Sequence, residues 1–286
     1  CNLEDECFAE GIDRFLRVCN VVKAFRNTRV LQISTRPFDF WSTMCNEGEL
    51  LEKFGIQLSP IPMPELTQAM KDVKENSPEE IKEVTDYCRE KMCIKVTPEQ
   101  LDNVAALKIA MTRLGKKYGC NCGAIQCWNA LQDEIGIMPC AANALCNDEG
   151  FPIACETDIH GTITSVLVEA AAMGETRSFF ADWTVRHPYN DNAELLQHCG
   201  PDNGEYSLLL GNAKTVDGPY TKGTYMWVEV ENLDRLEDKL VQGPYIHHCV
   251  GVHQDVVPVL YEACKYIGVT PDLYDPIEEK VKAIIR

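Results

Sequence analysis

The sequence predicts an α/β fold: a Rossmann-like, doubly wound parallel sheet over residues 1–173, followed by a β-rich, mostly antiparallel C-terminal domain over residues 174–286. Three observations carry this reading. Short β-rich runs alternate with helical patterns through the first part, as they do when crossover helices join parallel strands. Two helix starts are spelled out, at Ser77-Pro78-Glu79-Glu80 and Thr97-Pro98-Glu99-Gln100, each with a capping residue, a proline at the first helical position and an acid or amide to close a capping box. Beyond Asp182 the runs at 207–210 and 225–230 are separated by glycine turns, Gly218-Pro219 and Gly223, which favours antiparallel pairing.

In chain order, Phe8, Ile12, Phe15, Leu16, Cys19 and Val22 give a first helix ending near Phe25. RVLQIST (29–35) is a strand that closes on Arg36-Pro37. A helix follows over 47–54, then an extended run over 55–62 whose prolines assign it to a sheet edge or a loop. A helix over 64–73 precedes the Ser77-capped helix, which runs to about Met92. The Thr97-capped helix buries Leu101, Val104, Leu107, Met111 and Leu114. An apolar run at 124–127, a helix over 128–134 and a small-residue segment over 139–147 lead to a strand at Ile153. Residues 153–182 read as strand, helix and strand, with Glu156 and Asp182 at the strand ends. Strands joined in this way are usually parallel neighbours, so the two acids are expected side by side on one rim. A last helix over 256–267 packs through Val256, Leu260, Ala263 and Ile267.

Composition narrows the function classes. The net charge of −17, without a dense run of Lys and Arg, disfavours nucleic-acid and anionic-membrane partners. No apolar stretch reaches the length of a membrane span, and the N-terminus lacks the layout of a signal peptide. A start at Cys1 suggests a piece of a longer polypeptide or a processed product. The 15 cysteines read as reduced, mostly buried thiols of a cytoplasmic protein, and the spacing of Cys120, Cys122 and Cys127 does not fit a zinc or iron–sulfur site. Gly-x-Gly-x-x-Gly, P-loop and Gly-x-Ser-x-Gly motifs are absent.

Two acids on one rim form a metal cradle or a general acid/base pair, and the plainer reading is a helix cap and a turn residue. Three of the six histidines cluster in HHCVGVH, at His247, His248 and His253. Strand alternation sends His247 and His248 to opposite faces, so one binds while the other takes a supporting or substrate role, the plainer alternative being ordinary strand-end hydrogen bonds. Carboxylates with one imidazole suit Mn2+ or Mg2+ better than structural zinc.

CETDIHG, FFADW, HCGP (198–201) and HHCVGVH together resemble the C-terminal two-thirds of the L-fucose isomerase and L-arabinose isomerase superfamily. The likeness is closer to the fucose isomerase branch, because a Glu-x-Asp is followed by an Asp, and the RVLQIST and KFGI portions resemble that family's second α/β domain. The resemblance implies a Mn2+-dependent aldose–ketose isomerase acting on a free monosaccharide through an enediol, with Mg2+ as an alternative ion. It implies Glu156, Asp182 and His248 as metal ligands, the two carboxylates also being catalytic, and His198 as a fourth ligand as in the arabinose isomerase branch. His247 matches a substrate-contacting position. Gln126, Trp183 and Trp227 are guesses for sugar contacts, with core packing the preferred role of Trp227. The resemblance further implies a homotrimer or homohexamer, and a form lacking the family's N-terminal domain, which helps to complete the substrate pocket. A non-catalytic sugar-binding or regulatory protein of the same fold is the alternative, and a metal-dependent hydrolase or lyase a third reading.

Overall fold

The computed structural model describes residues 2–92, 94–198, 214–215, 218–219, 225–274 and 281. A parallel sheet forms from β1 (Arg29–Ile33), β2 (Gln57–Ile61), β3 (Cys122–Ile125) and β4 (Ile153–Ala154), in the order β2-β1-β3-β4. Proline-bearing β2 lies at the edge, as expected of a residue that cannot donate to a ladder.

Alternate residues of these strands point to opposite faces, and both faces are covered. On one, Leu31, Ile33, Ile125 and Ile153 pack under α3 (Met63–Asn76), α4 (Pro78–Lys91), α5 (Pro98–Tyr118) and α7 (Cys140–Asp148). On the other, Val30, Cys122, Ala124 and Ala154 meet α1 (Glu6–Arg26), α2 (Glu47–Phe54) and α8 (Ile159–Ala171) through Phe25, Leu50, Ile159 and Ile163. The doubly wound arrangement is therefore observed, and the predicted stripe of α5 is buried throughout. The expected small-residue segment over 139–147 is the buried helix α7, preceded by the short α6 (Ala130–Ile135).

The Thr97 capping box forms: Thr97 Oγ1 accepts from Gln100 N at 3.2 Å and Gln100 Oε1 accepts from Thr97 N at 3.0 Å. The Ser77 box does not. Arg113 Nη2 donates to Ser77 Oγ at 2.8 Å and to Glu80 Oε1 at 2.5 Å, so a charged donor from α5 occupies both groups that would have closed it.

The second sheet is antiparallel, β10-β5-β6-β9, from β5 (Phe179–Arg186), β6 (Ala193–Gln197), β9 (Tyr225–Glu229) and β10 (His248–Gly251). A two-stranded ladder joins β7 (Lys214–Thr215) and β8 (Gly218–Pro219), and the strand expected at 207–210 lies outside the described residues. The amphipathic helix α9 (Leu233–Gln242) had no counterpart in the sequence reading; charges dominate it and only Leu233 is buried. The last helix, α10 (Val257–Ile267), packs on α1 and α8 through Val256, Val259, Leu260 and Ala263.

One expectation fails in a way that matters for the site. β4 and β5, the strands flanking α8, are not neighbours: β4 closes the parallel sheet and β5 belongs to the antiparallel one. Among the described cysteines eleven form no disulfide, but Cys7 is disulfide-bonded, contrary to a wholly reduced set. Burial pushes the Cys122 and Cys146 thiols up to about 12, as for packing residues. No helix of the described residues is long and apolar enough to cross a membrane.

Candidate metal centre

In an open parallel sheet, ligands bind outside the carboxyl ends of the strands where the strand order reverses. Here the order reverses between β1 and β3. Residues 34–46 after β1, residues 126–129 after β3 and the turn after β4 all emerge at that edge.

Glu156 sits in the turn after β4, a 3-10 turn Cys155–Thr157, and not at the end of a longer strand. Glu156 and Thr157 adopt left-handed backbone, with φ of 58° and 53°. Such residues cost about 1–3 kcal/mol each and persist only where their surroundings hold them. Thr157 is held by Thr35, whose carbonyl accepts from Thr157 Oγ1 at 3.0 Å. The Glu156 side chain is buried and turned toward three ring systems: Trp128 Nε1 donates to Oε1 at 3.2 Å, and His247 Nε2 and His248 Nε2 lie 3.2 and 3.0 Å from Oε2.

Asp182 reaches the same point by another route. Within the β5–β10 ladder it stands directly opposite His248, and its Oδ1 lies 3.4 Å from His248 Nε2 and 3.9 Å from His247 Nε2. The two acids therefore meet through an antiparallel partner strand and not as neighbouring parallel ends. His198, just beyond β6, adds a buried ring whose Nε2 is 4.0 Å from both Glu156 Oε1 and Asp182 Oδ1.

His247 and His248 both face the site, against the alternation expected of a strand. The reason is local: β10 begins at His248 and His247 lies in the bend before it. Ser42 Oγ meets His247 Nδ1 at 2.8 Å, and the Phe40 ring packs 5.6 Å from the imidazole.

Asp158 is a participant that the sequence reading passed over. Fully buried, it caps α8 by accepting from Gly161 N at 2.8 Å through Oδ1, while Oδ2 lies 2.9 Å from His248 Nδ1. An imidazole that donates its Nδ1 proton to a carboxylate keeps its Nε2 lone pair for a metal. Gly161 leaves the room this needs: a Cβ there would stand 2.4 Å from the Phe180 ring and 2.6 Å from Asp158 Oδ2. The signal was present in the sequence, an acid two positions after Glu156 at a helix start, but its partner lies 90 positions away. Trp128, Phe40 and Ser42 carried no sequence signal, since they come from loops that meet only at the sheet edge.

The guesses for sugar contacts divide. Gln126 lies at the reversal point, where its Oε1 accepts from Ser34 Oγ at 2.7 Å. Trp183 packs with Phe179, Ala181 and Leu196 on the face of β5 opposite Asp182, so it is not turned to the site. Trp227 is 46% exposed and meets the His187 ring edge-on, so the expected core packing is not found.

The electrostatics suit a cation. Burial acts to raise the Glu156 carboxyl, but the hydrogen bonds with His247 and His248 outweigh it and lower its pKa to about 2. Burial acts to lower His248, yet Asp158 and Glu156 raise it to about 9. Burial raises Asp182 and lowers His198. Glu156, Asp158 and Asp182 surround the imidazole of His248, at 3.0, 2.9 and 3.4 Å from its ring nitrogens. Asp182 Oδ1 and both His198 ring nitrogens are buried without hydrogen-bond partners, a costly arrangement for polar atoms unless something else satisfies them. Two groups of prospective ligand atoms, Glu156/His198/His248 and Asp182/His247/His248, each lie within 4.8 Å of one another. An octahedral ion with ligands at about 2.1 Å separates adjacent ligand atoms by about 3 Å and opposite ones by about 4.2 Å. The separations of 3.0 to 4.0 Å fall between these limits. The residues fit a divalent ion with oxygen and nitrogen ligands, and among the described residues no cysteine joins either group.

No family model matches the sequence. It is similar to proteins described as sulfoquinovose isomerase. That of Alkalicoccus urumqiensis is 25% identical over 209 residues, 72% of this chain and 45% of the relative. That of Priestia megaterium (strain ATCC 12872 / QMB1551) is 25% identical over 208 residues, with the same shares of 72% and 45%. That of Clostridium sp. (strain MSTE9) is 25% identical over 199 residues, 69% of this chain and 43% of the relative. The chain thus spans less than half the length of these curated relatives.

Proposed function

We propose that this chain carries the catalytic centre of a metal-dependent aldose–ketose isomerase that acts on a free monosaccharide through an enediol. The observation that carries the reading is the convergence of Glu156, Asp182, His198, His247 and His248 on one half-buried point with unsatisfied ligand atoms. The similarity to sulfoquinovose isomerases supports it. In finer detail, the Glu-x-Asp order favours the L-fucose isomerase branch, with L-fucose and D-arabinose as candidate sugars. The relatives add sulfoquinovose, a hexose bearing a sulfonate.

Glu156, Asp182, His248 and His198 would hold Mn2+, or Mg2+. The bound ion supplies Lewis-acid stabilisation of negative charge developing on the O1 and O2 oxygens. One of the two carboxylates takes the proton from C2 and the other handles the hydroxyl proton, the roles reversing in the back reaction. Asp158 holds His248 in the tautomer that keeps Nε2 for ligation, and His247, fixed by Ser42, stands beside Glu156 as a group able to contact a sugar hydroxyl. Phe40 and Trp128, whose rings stack 6.4 Å apart, border the site beside His247 and Glu156. The proposal extends to a division near residue 174 and to a homotrimer or homohexamer, which rests on the resemblance and which light scattering of the purified chain tests.

The decisive experiment is metal analysis of wild type, Glu156→Gln and His248→Ala after Mn2+ loading, with interconversion of L-fucose, D-arabinose, L-arabinose and sulfoquinovose assayed in parallel. Both variants are expected to lose bound metal and turnover. Equal metal content in all three proteins, or no interconversion of any sugar by metal-loaded wild type, would sink the reading.

A further inference from the structure

We infer that Arg36 recognises an anionic group on the sugar, remote from the carbons that react, so that this site takes aldoses bearing a sulfonate or phosphate in preference to neutral ones. The inference rests on the isomerase reading and adds to it the residue that reads the anionic group.

Arg36 lies in the loop after β1, at the reversal point of the parallel sheet. The surroundings of the candidate site pin that loop along its length. Ser34 bonds Gln126, the Thr35 carbonyl accepts from Thr157, Phe40 packs on His247 and Trp128, and Ser42 meets His247. Thr35 and Thr157 are the chain neighbours of Arg36 and Glu156, and they share a 3.0 Å hydrogen bond. Arg36 thus enters the fold beside the turn that carries the central carboxylate.

Its guanidinium is fixed and has no acid partner. Nη1 donates to the Pro37 and Phe38 carbonyls at 3.1 and 2.9 Å, and Cζ lies 4.7 Å from the centre of the Trp41 ring. Arg17, Arg113, Arg177 and Arg186 meet carboxylates, whereas Arg36, like Arg26 and Arg29, has none within ion-pair distance among the described residues; of these three, Arg36 alone lies in the loop after β1. In a chain with 44 acidic and 27 basic residues, an arginine held rigid yet left without a carboxylate is available to an outside anion. A guanidinium fixed by two carbonyls and stacked on an indole has already lost its rotamer freedom, and its Nε and Nη2 hydrogens keep the fork that matches a tetrahedral oxyanion. Phe38 and Trp41, 80% and 59% exposed, give the loop a large apolar surface beside that charge. A sugar seated against them would exclude water and strengthen the ion pair.

The test is steady-state kinetics with Mn2+ on sulfoquinovose, D-glucose 6-phosphate and D-glucose, comparing wild type with Arg36→Met, which keeps the stem, and Arg36→Lys, which keeps the charge. Thermal melts confirm that each variant folds. The expected result is a preference of wild type for one or both anionic sugars. In Arg36→Met that preference should fall about ten- to a hundredfold through KM, the loss of a charge-assisted contact, with D-glucose changed less than about twofold. Arg36→Lys should recover part of it. The two anionic sugars distinguish sulfonate from phosphate. Equal use of neutral and anionic sugars by wild type, or equal loss of both in Arg36→Met, overturns the inference and leaves the isomerase reading standing. If wild type turns over none of the three, the panel with L-fucose, D-arabinose and L-arabinose decides on the isomerase reading, and direct binding of sulfoquinovose and D-glucose 6-phosphate decides on Arg36. Binding that Arg36→Met abolishes sustains its role; no binding by wild type, or unchanged binding by the variant, ends it.

Discussion

Asp158 offers the sharpest separation of structure from chemistry, because its two oxygens serve different ends. Oδ1 caps α8 and Oδ2 orients His248. Asp158→Ala removes a capping bond, about 0.5–2 kcal/mol, and a charge-assisted bond, about 1.5–3 kcal/mol. Together these predict a stability loss of about 2–5 kcal/mol, or about 5–15 °C in melting temperature for a chain of this size. Asp158→Asn behaves differently. The amide oxygen can still accept from Gly161 N, so the cap survives, but the amide nitrogen then faces His248 Nδ1. A donor in that place makes Nδ1 the acceptor and moves the imidazole proton to Nε2, where the metal should bind. Loss of such an orienting partner typically costs about 10–100-fold in metal affinity. Thermal melts of the metal-free proteins and titration calorimetry with Mn2+ read the two effects separately. The expected pattern is Asp158→Ala weak in both assays and Asp158→Asn weak chiefly in metal affinity. If Asp158→Asn binds Mn2+ within a factor of two of wild type, Asp158 is only a helix cap and the reasoning about tautomers is wrong.

Two further predictions concern packing and pH. Gly161→Ala forces a methyl group against the Phe180 ring and Asp158 Oδ2, and the strain of about 1–3 kcal/mol should appear as a lower melting temperature together with weaker Mn2+ binding. Burial, with Glu237 alongside, raises buried Glu194 to about 7. Because its folded pKa exceeds the unfolded value, the native state binds the extra proton: stability is full below the ordinary Glu range and falls as pH rises toward and through 7. Melting temperatures from pH 5 to 8 should decline in wild type and flatten in Glu194→Gln; a slope unchanged by the substitution would show that other groups set it.

Much of the α/β part was legible because its signals are local. Thr97 and Gln100 lie three residues apart and form the box their types suggest, and the stripe from Leu101 to Leu114 is buried as its period requires. Even here, Ser77 lost its capping role to Arg113, a competitor far along the chain. The site was legible only as residue types. Glu156, Asp182, His198 and His248 do come together, but the assumed route, neighbouring parallel strands on either side of α8, is not the one taken. A two-residue strand such as β4 carries too little pattern to show which sheet its successor joins. His247 was sent to the wrong face because alternation holds within a strand, and β10 starts one residue later. Trp183 was a guess for a sugar contact, and the same alternation, valid within β5, turns it away.

The register that sets His248 against Asp182 also bears on the order in which this molecule assembles. Glu156 and His248 are 92 positions apart, so bringing them together is a long loop closure, costly in chain entropy and rewarded only at the end. Strand β10 is four residues long and only half-buried, a weak clasp by itself. The helices α3, α4, α5 and α7 on one face of the parallel sheet rely on nearer contacts and can consolidate first, leaving closure of β10 onto β5 as a late event. A cation bound by Glu156, Asp182 and His248 would then act as a rivet, driven after the plates are aligned, and its grip would slow the reopening of the C-terminal strand more than it would speed its arrival.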